Sequence, residues 1–194
     1  GPLALVLIGM PIVAYLLLNG GWLRAITTLP WRWGSIIGFV LPLSWYVLAE
    51  SRTPGFIEYF VLGEHVYRFL KPGWAGDLYG NAHIQPHGMV WLYALIGLLP
   101  WSLILLGQFL RTPRALIQVM RTHRFLVFLG LWCLSHLCFF SIAANIIWPY
   151  FLPMTPAFAM LCVGLIQVSD RMFKRLAIVC TALISCIVIF VSHM

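Results

Sequence analysis

The sequence predicts an all-α, polytopic membrane protein, and three observations carry that prediction. Hydrophobic residues make up 62% of the chain and charged residues only 9%, whereas a soluble domain carries about 25% charged residues. The mean hydropathy is +0.95. The apolar residues gather into six runs, at Leu3–Leu18, Ser35–Leu48, Met89–Leu110, Phe125–Ala143, Tyr150–Val168 and Leu176–Val191. A crossing needs roughly 20 apolar residues, so the runs are read as about six transmembrane helices in one membrane domain spanning residues 1–194.

The links between runs support that reading. Residues 20–34 carry Arg24 and Arg32. Residues 111–124 carry Arg111, Arg114, Arg121 and Arg124. Residues 169–175 carry Arg171, Lys174 and Arg175 against Asp170. The other two links, 50–88 and 144–149, are mixed or uncharged. Basic and non-basic links alternate, as expected for successive crossings with the basic loops in the cytoplasm. Residues 111–124 and 169–175 are then cytoplasmic loops, and 50–88 is the one large external loop. The net charge of +7 follows from these flanking cations, so no nucleic-acid partner is expected.

The five cysteines, Cys133, Cys138, Cys162, Cys180 and Cys186, all fall in apolar runs without metal-ligand spacing, and read as small buried residues. His136 lies in the fourth run, where an interhelical hydrogen bond is expected of it. The chain begins and ends in apolar runs, which suggests a fragment of a longer protein.

The external loop concentrates the chemistry. Residues 63–88 hold two of the five acidic residues and three of the six histidines. Pro54 fits a helix start and Pro72-Gly73 a stop. At about 100° per residue, Phe56, Tyr59, Phe60, Gly63, Val66, Tyr67 and Leu70 share one side. Glu58, Glu64, His65, Arg68 and Lys71 share the other, with Ile57 and Val61 among them. An amphipathic helix in the membrane interface is expected. Its polar face reads either as a solvated surface with a Glu64–Arg68 pair, or as an anion site. In the second reading Arg68 and Lys71 hold phosphate oxygens, and Glu64 and His65 handle protons or a divalent metal ion. Beyond it, residues 74–88 are irregular and bear Asp77, Tyr79, Asn81, His83, Gln85 and His87. His83 and His87 are four apart, but Pro86 interrupts any helix that would pair them on a zinc ion. Asn145, Trp148 and Tyr150 flank a short external turn with Pro149, Pro153 and Pro156 close by.

"FIEYFVLGEHVYRFL", "GNAHIQPHGMVWLYALIGLLPWS" and "NIIWPYFLPMTPAFAML" resemble, in order, the landmarks of polyprenyl-phosphate-dependent glycosyltransferases of the GT-C fold. The likeness is to the aminoarabinose transferase of lipid A and to protein O-mannosyltransferases, and covers residue 55 to about residue 161. The landmarks are Glu64-His65 with Arg68-Phe69, Gln85-Pro86, Pro100-Trp101, and Tyr150 with Leu152-Pro153 and Pro156. The resemblance implies an integral enzyme of the inner membrane. Such an enzyme moves a sugar from a polyprenyl-phosphate carrier to a lipid, glycan or protein acceptor at the outer, periplasmic face, by direct displacement. It implies catalytic roles for Glu64 and His65, which are also the candidate metal ligands. Arg68, Lys71, Asp77, Gln85, Asn145 and Tyr150 are the candidate phosphate and substrate contacts. Two features depart from the family pattern. No residue matches its catalytic Asp in a first external loop, so the chain is expected to be inactive alone. Asn145-Ile146-Ile147 also stands where many relatives carry a Lys. The alternative is a transporter or membrane scaffold, for which charges near mid-membrane are expected; here they lie at segment ends and in one loop.

Overall fold

The computed structural model describes residues 2–76, 83–166 and 171–192; among these there are helices and no strands. The elements are α1 (Pro2–Asn19), α2 (Trp22–Thr28), α3 (Trp31–Arg52), α4 (residues 56–70), α5 (Met89–Gly97), α6 (Trp101–Arg111), α7 (Pro113–Thr122), α8 (Arg124–Ser141), α9 (Thr155–Ile166, entered through a 3₁₀ segment Trp148–Met154) and α10 (Arg171–Ser192). Four helices are long and apolar enough to cross a membrane, or five if the bent pair α5–α6 is one span. The expected helical membrane architecture is therefore present, with four or five candidate spans where about six were expected; the last apolar run lies in α10, which is not among those candidates.

A second departure concerns the third apolar run. It is not one straight helix: α5 and α6 meet at 105° across Leu98–Pro100. Proline has no N–H to continue the helical ladder, and the break is held by Ser102, whose Oγ–H donates to the Leu95 carbonyl at 2.7 Å. Gly97 at the bend admits the Phe151 ring against its backbone. α3 departs from α-geometry more gently. It widens into a π-turn over Ile36–Val40, ending two residues before Pro42, where the wider turn accommodates a residue that cannot donate.

The chain sorts into two compact units. The first comprises residues 1–89 and 138–147, the second residues 90–137 and 148–194. In the first unit, α1 and α3 bury almost nothing: 6% and 0% of their apolar windows are covered by protein. Apolar helices left this bare call for lipid or further protein around them. In the second unit, Ile104, Phe173 and Ala177 form a packed cluster joining α6 to α10, with Ile166 and Cys180 against it. Gln108 is 1% exposed and its Nε2 donates to the Leu165 carbonyl at 3.2 Å, tying α6 to α9. His136 is also buried, but its Nδ1 bonds the Trp132 carbonyl of its own helix at 3.0 Å. The expected interhelical bond is thus an intrahelical one. Residues 111–124, expected as a basic loop, contain the helix α7 with Leu116 buried and Arg114 and Arg121 exposed.

Candidate functional site

α4 begins where expected and ends where expected, but it is not an α-helix through most of its length. Glu58–Tyr67 is ten residues of π-helix, continued by one α-turn, Arg68–Leu70. In a π-helix the backbone bonds run from i to i+5, so residues four or five apart stack on one stripe. The two faces expected from a 100° wheel are corrected accordingly. Phe56, Phe60 and His65 form one stripe: the phenyl rings stack at 5.4 Å, and the imidazole meets Phe60 edge-on at 4.7 Å. Tyr59, Glu64 and Arg68 form a second. Ile57, Leu62, Val66 and Leu70 form a third, each between 38% and 64% exposed. Tyr59 and Glu64, placed on opposite sides by an α-wheel, are hydrogen-bonded neighbours.

Both ends of α4 are anchored. At its start, the Glu50 carboxylate accepts the Gly55 N–H at 2.8 Å and the Ile57 N–H at 2.7 Å. It thus caps N–H groups that a helix start leaves without helical partners. Gly55 has φ +88°, a conformation open to glycine at little cost. Trp45 and Tyr46 of α3 pack on Phe56, with ring centroids 5.4 and 6.4 Å apart. At its end, Asn145 is 3% exposed and bonds three backbone groups. Its Nδ2 donates to the carbonyls of Arg68 at 2.6 Å and Lys71 at 2.8 Å, and its Oδ1 accepts the Gly73 N–H at 3.0 Å. The Ala144 N–H donates to the Phe69 carbonyl at 2.8 Å, and Phe69 stacks on Phe139 at 4.8 Å. On the far side of the same strand-like segment, the Ile146 N–H donates to the His83 carbonyl at 3.0 Å.

The polar stripe between these anchors is ordered. Glu64 uses both oxygens. Oε1 accepts the Tyr59 hydroxyl at 2.6 Å, and Oε2 accepts Arg68 Nη1 at 2.7 Å. The two side chains are 17% and 21% exposed, so the pair is reachable without being free in solvent. His65 Nδ1 lies 2.7 Å from the Phe60 carbonyl. A carbonyl only accepts, so Nδ1 carries the proton and Nε2 is left with the lone pair in the neutral ring. Lys71 sets its ammonium 4.0 Å above the Tyr67 ring. Trp74 folds back over Gly63, where a Cβ would lie 2.8 Å from the indole, and packs on Tyr59 at 6.2 Å.

Of the residues singled out in sequence, Glu64, His65, Arg68, Lys71 and Asn145 are brought together around one helix. Asn145 joins them through backbone groups, in a positioning role. Gln85 is half-buried in the first unit; Tyr150 lies in the 3₁₀ segment of the second. Asp77, Tyr79 and Asn81 lie outside the described residues. Tyr59, Glu50 and Trp74 were missed as participants. No group of three or more His, Cys, Asp or Glu suited to a metal ion occurs among the described residues, and both Glu64 oxygens are engaged. The residues described therefore do not fit a complete metal site, and no step is routed through one.

Fold and site define a multi-pass helical membrane protein with a hydrogen-bonded stripe of ionisable side chains on one loop helix. Over 129 residues, 65% of this chain and 21% of the relative, it is 32% identical to the undecaprenyl phosphate-alpha-4-amino-4-deoxy-L-arabinose arabinosyl transferase of Serratia proteamaculans. The same-named protein of Yersinia enterocolitica is 31% identical over 146 residues, 73% of this chain and 24% of the relative. That of Pseudomonas fluorescens is 28% identical over 120 residues, 61% and 19% respectively. These relatives bear out the resemblance to membrane glycosyltransferases of the aminoarabinose-transferase type. The chain spans about a fifth to a quarter of their length. No protein-family model and no solved structure matches it.

Proposed function

We propose that this chain forms part of an integral-membrane glycosyltransferase that moves a sugar from a polyprenyl-phosphate carrier to an acceptor at the outer face of the membrane. The observation that carries the reading is the Tyr59–Glu64–Arg68 stripe beside His65, in a segment with the landmarks of the aminoarabinose transferases. Displacement at the anomeric carbon breaks the bond to the carrier phosphate and forms a bond to the acceptor oxygen. It calls for cations at the departing phosphate and a base for the acceptor proton. Arg68 and Lys71 are the phosphate-facing cations of this reading. Glu64 orients the Arg68 guanidinium through Nη1, and a guanidinium fork suits phosphate oxygens. His65 Nε2 is the proton acceptor, and Glu64 holds Arg68 and Tyr59 in place. Gln85, in the same unit as α4, is a further substrate contact of this reading, and Asp77 and Tyr150 stay contacts that the family resemblance alone implies.

The test is sugar transfer from a polyprenyl-phosphate donor by the full-length protein in membranes. His65→Ala and Arg68→Ala should each abolish transfer while the protein remains folded. Undiminished turnover in both variants overturns the assignment.

A further inference from the structure

The second unit contains a cavity of about 1020 Å³ that the site on α4 does not use. Its walls are the α5–α6 bend (Gly97 to Trp101), one face of α9 and one face of α10. The lining is hydrocarbon over most of its length, including Leu98, Phe158, Val163 and Ile178, and among the described residues it carries one charge, Lys174. α9 and α10 are joined by only four residues, so Ile166 and Lys174 mark one end of the groove and Thr155 and Ala182 the other. From Thr155 to Ile166 is eleven steps of about 1.5 Å, or roughly 16 Å. Half the hydrocarbon core of a bilayer is about 15 Å. The groove therefore has the length of one leaflet.

The charged end is not a lone lysine. Arg171 and Arg175 lie within one turn of Lys174 and are exposed. Arg111, at the end of α6, stacks its guanidinium over the ring of Phe173 at 5.8 Å, which brings a cation from a second helix to the same end. A basic pocket between spanning helices, opening onto an apolar slot, is suited to an anionic lipid head group with its tails along the slot. Charge alternation along the sequence assigns this end to the cytoplasmic leaflet.

We propose that this groove is a binding site for an anionic phospholipid of the cytoplasmic leaflet, with its phosphate at Lys174 and Arg111 and an acyl chain along α9 and α10 toward the α5–α6 bend. The one-leaflet length is what selects a phospholipid over a polyprenyl phosphate, whose longer chain exceeds a slot of this length. A resident lipid here would brace the bend, because Leu98, Leu99 and Trp101 form its far wall.

The experiment is native mass spectrometry of the full-length protein from nanodiscs containing equal phosphatidylglycerol and phosphatidylcholine, repeated with added polyprenyl phosphate. The wild type should retain phosphatidylglycerol selectively. Lys174→Gln should lower that retention about fivefold, from the loss of one cation near the head group. Ala159→Trp, which fills the slot from an exposed position on α9, should lower it without altering the selectivity of what remains. Size-exclusion profiles matching the wild type show that the variants are folded, and a misfolded Ala159→Trp is replaced by Ala182→Trp. Equal retention of both phospholipids, or unchanged retention in the two variants, overturns the proposal. Displacement of phosphatidylglycerol by polyprenyl phosphate also overturns it, because it makes the carrier the occupant.

Discussion

Asn145 and Arg68 are 77 residues apart in sequence, and the Asn145 side chain donates to the Arg68 carbonyl at 2.6 Å. The same amide reaches Lys71 and Gly73, so one buried residue closes the end of the helix that carries the polar stripe. Asn145→Ala leaves two carbonyls and one N–H without these partners, each worth about 1–3 kcal/mol when buried. The expected result is a loss of about 3 kcal/mol in chemical denaturation of the reconstituted protein. Asn145→Asp should be no better, because a carboxylate cannot donate to either carbonyl. An Asp variant as stable as wild type would show that the two carbonyl bonds contribute nothing.

Gly63 makes room for Trp74. A Cβ at residue 63 would lie 2.8 Å from two indole carbons, closer than packed atoms approach. Gly63→Ala should displace the indole, at a cost of about 1–3 kcal/mol typical of overpacking. It should also expose the residues after Pro72 to protease. Removing the indole first removes the clash, so Trp74→Ala followed by Gly63→Ala should cost less than Gly63→Ala alone. Additive effects in that double-mutant cycle would mean the two residues do not touch.

Glu64 and Arg68 separate stability from activity. An ion pair this near the surface contributes at most about 1 kcal/mol. Glu64→Gln should therefore move the unfolding midpoint little, while loosening Arg68 and lowering transfer by the full-length protein. Arg68→Lys keeps the charge and loses the planar fork. On the proposed function it should leave stability near wild type and raise KM for the lipid-linked donor. A fall in stability that tracks the fall in activity would instead make the pair structural.

Gly97→Ala reverses an ordinary sign. Alanine in a helix is favoured over glycine by about 1 kcal/mol, so the substitution would normally stabilise. At the α5–α6 bend, the new methyl would enter the Phe151 ring. Net destabilisation is expected, and Phe151→Leu in the same background should recover part of it. Thermal unfolding of the three variants checks this, and a more stable Gly97→Ala protein would show that the bend opens freely.

The apolar runs were legible because long, mostly apolar runs have few alternatives to a buried or lipid-covered helix. The ends of α4 were legible too, since Pro54 and Pro72-Gly73 are local signals. The bend at Leu98–Pro100 was not, because Gly97 and Pro100 lie inside one continuous apolar run and composition does not register direction. Nor was the partnership of Tyr59 with Glu64. The residues of α4 satisfy an α-wheel and a π-wheel nearly equally, so periodicity alone does not select the wider turn. The Asn145 clamp acts across more than seventy residues of sequence, where periodicity leaves no trace. Glu64, His65 and Arg68 were found for a simpler reason: ionisable side chains are rare in this chain.

The register of α4 can be read in solution. In the π-register, Ile57, Leu62, Val66 and Leu70 share one exposed apolar stripe, while Glu58 is exposed off it. An apolar stripe on a loop helix of a membrane protein settles against acyl chains. In a background with the five native cysteines replaced, single cysteines at 57, 62, 66 and 70 should react slowly with a membrane-impermeant maleimide. A cysteine at 58 should react fast. An α-helix over the same residues would put position 57 among Glu58, Glu64 and His65 and position 59 on the apolar side. The discriminating comparison is therefore 57 against 59 in a Tyr59→Cys variant. Slow labelling at 57 with faster labelling at 59 supports the wider turn, and the reverse order would return the helix to 3.6 residues per turn.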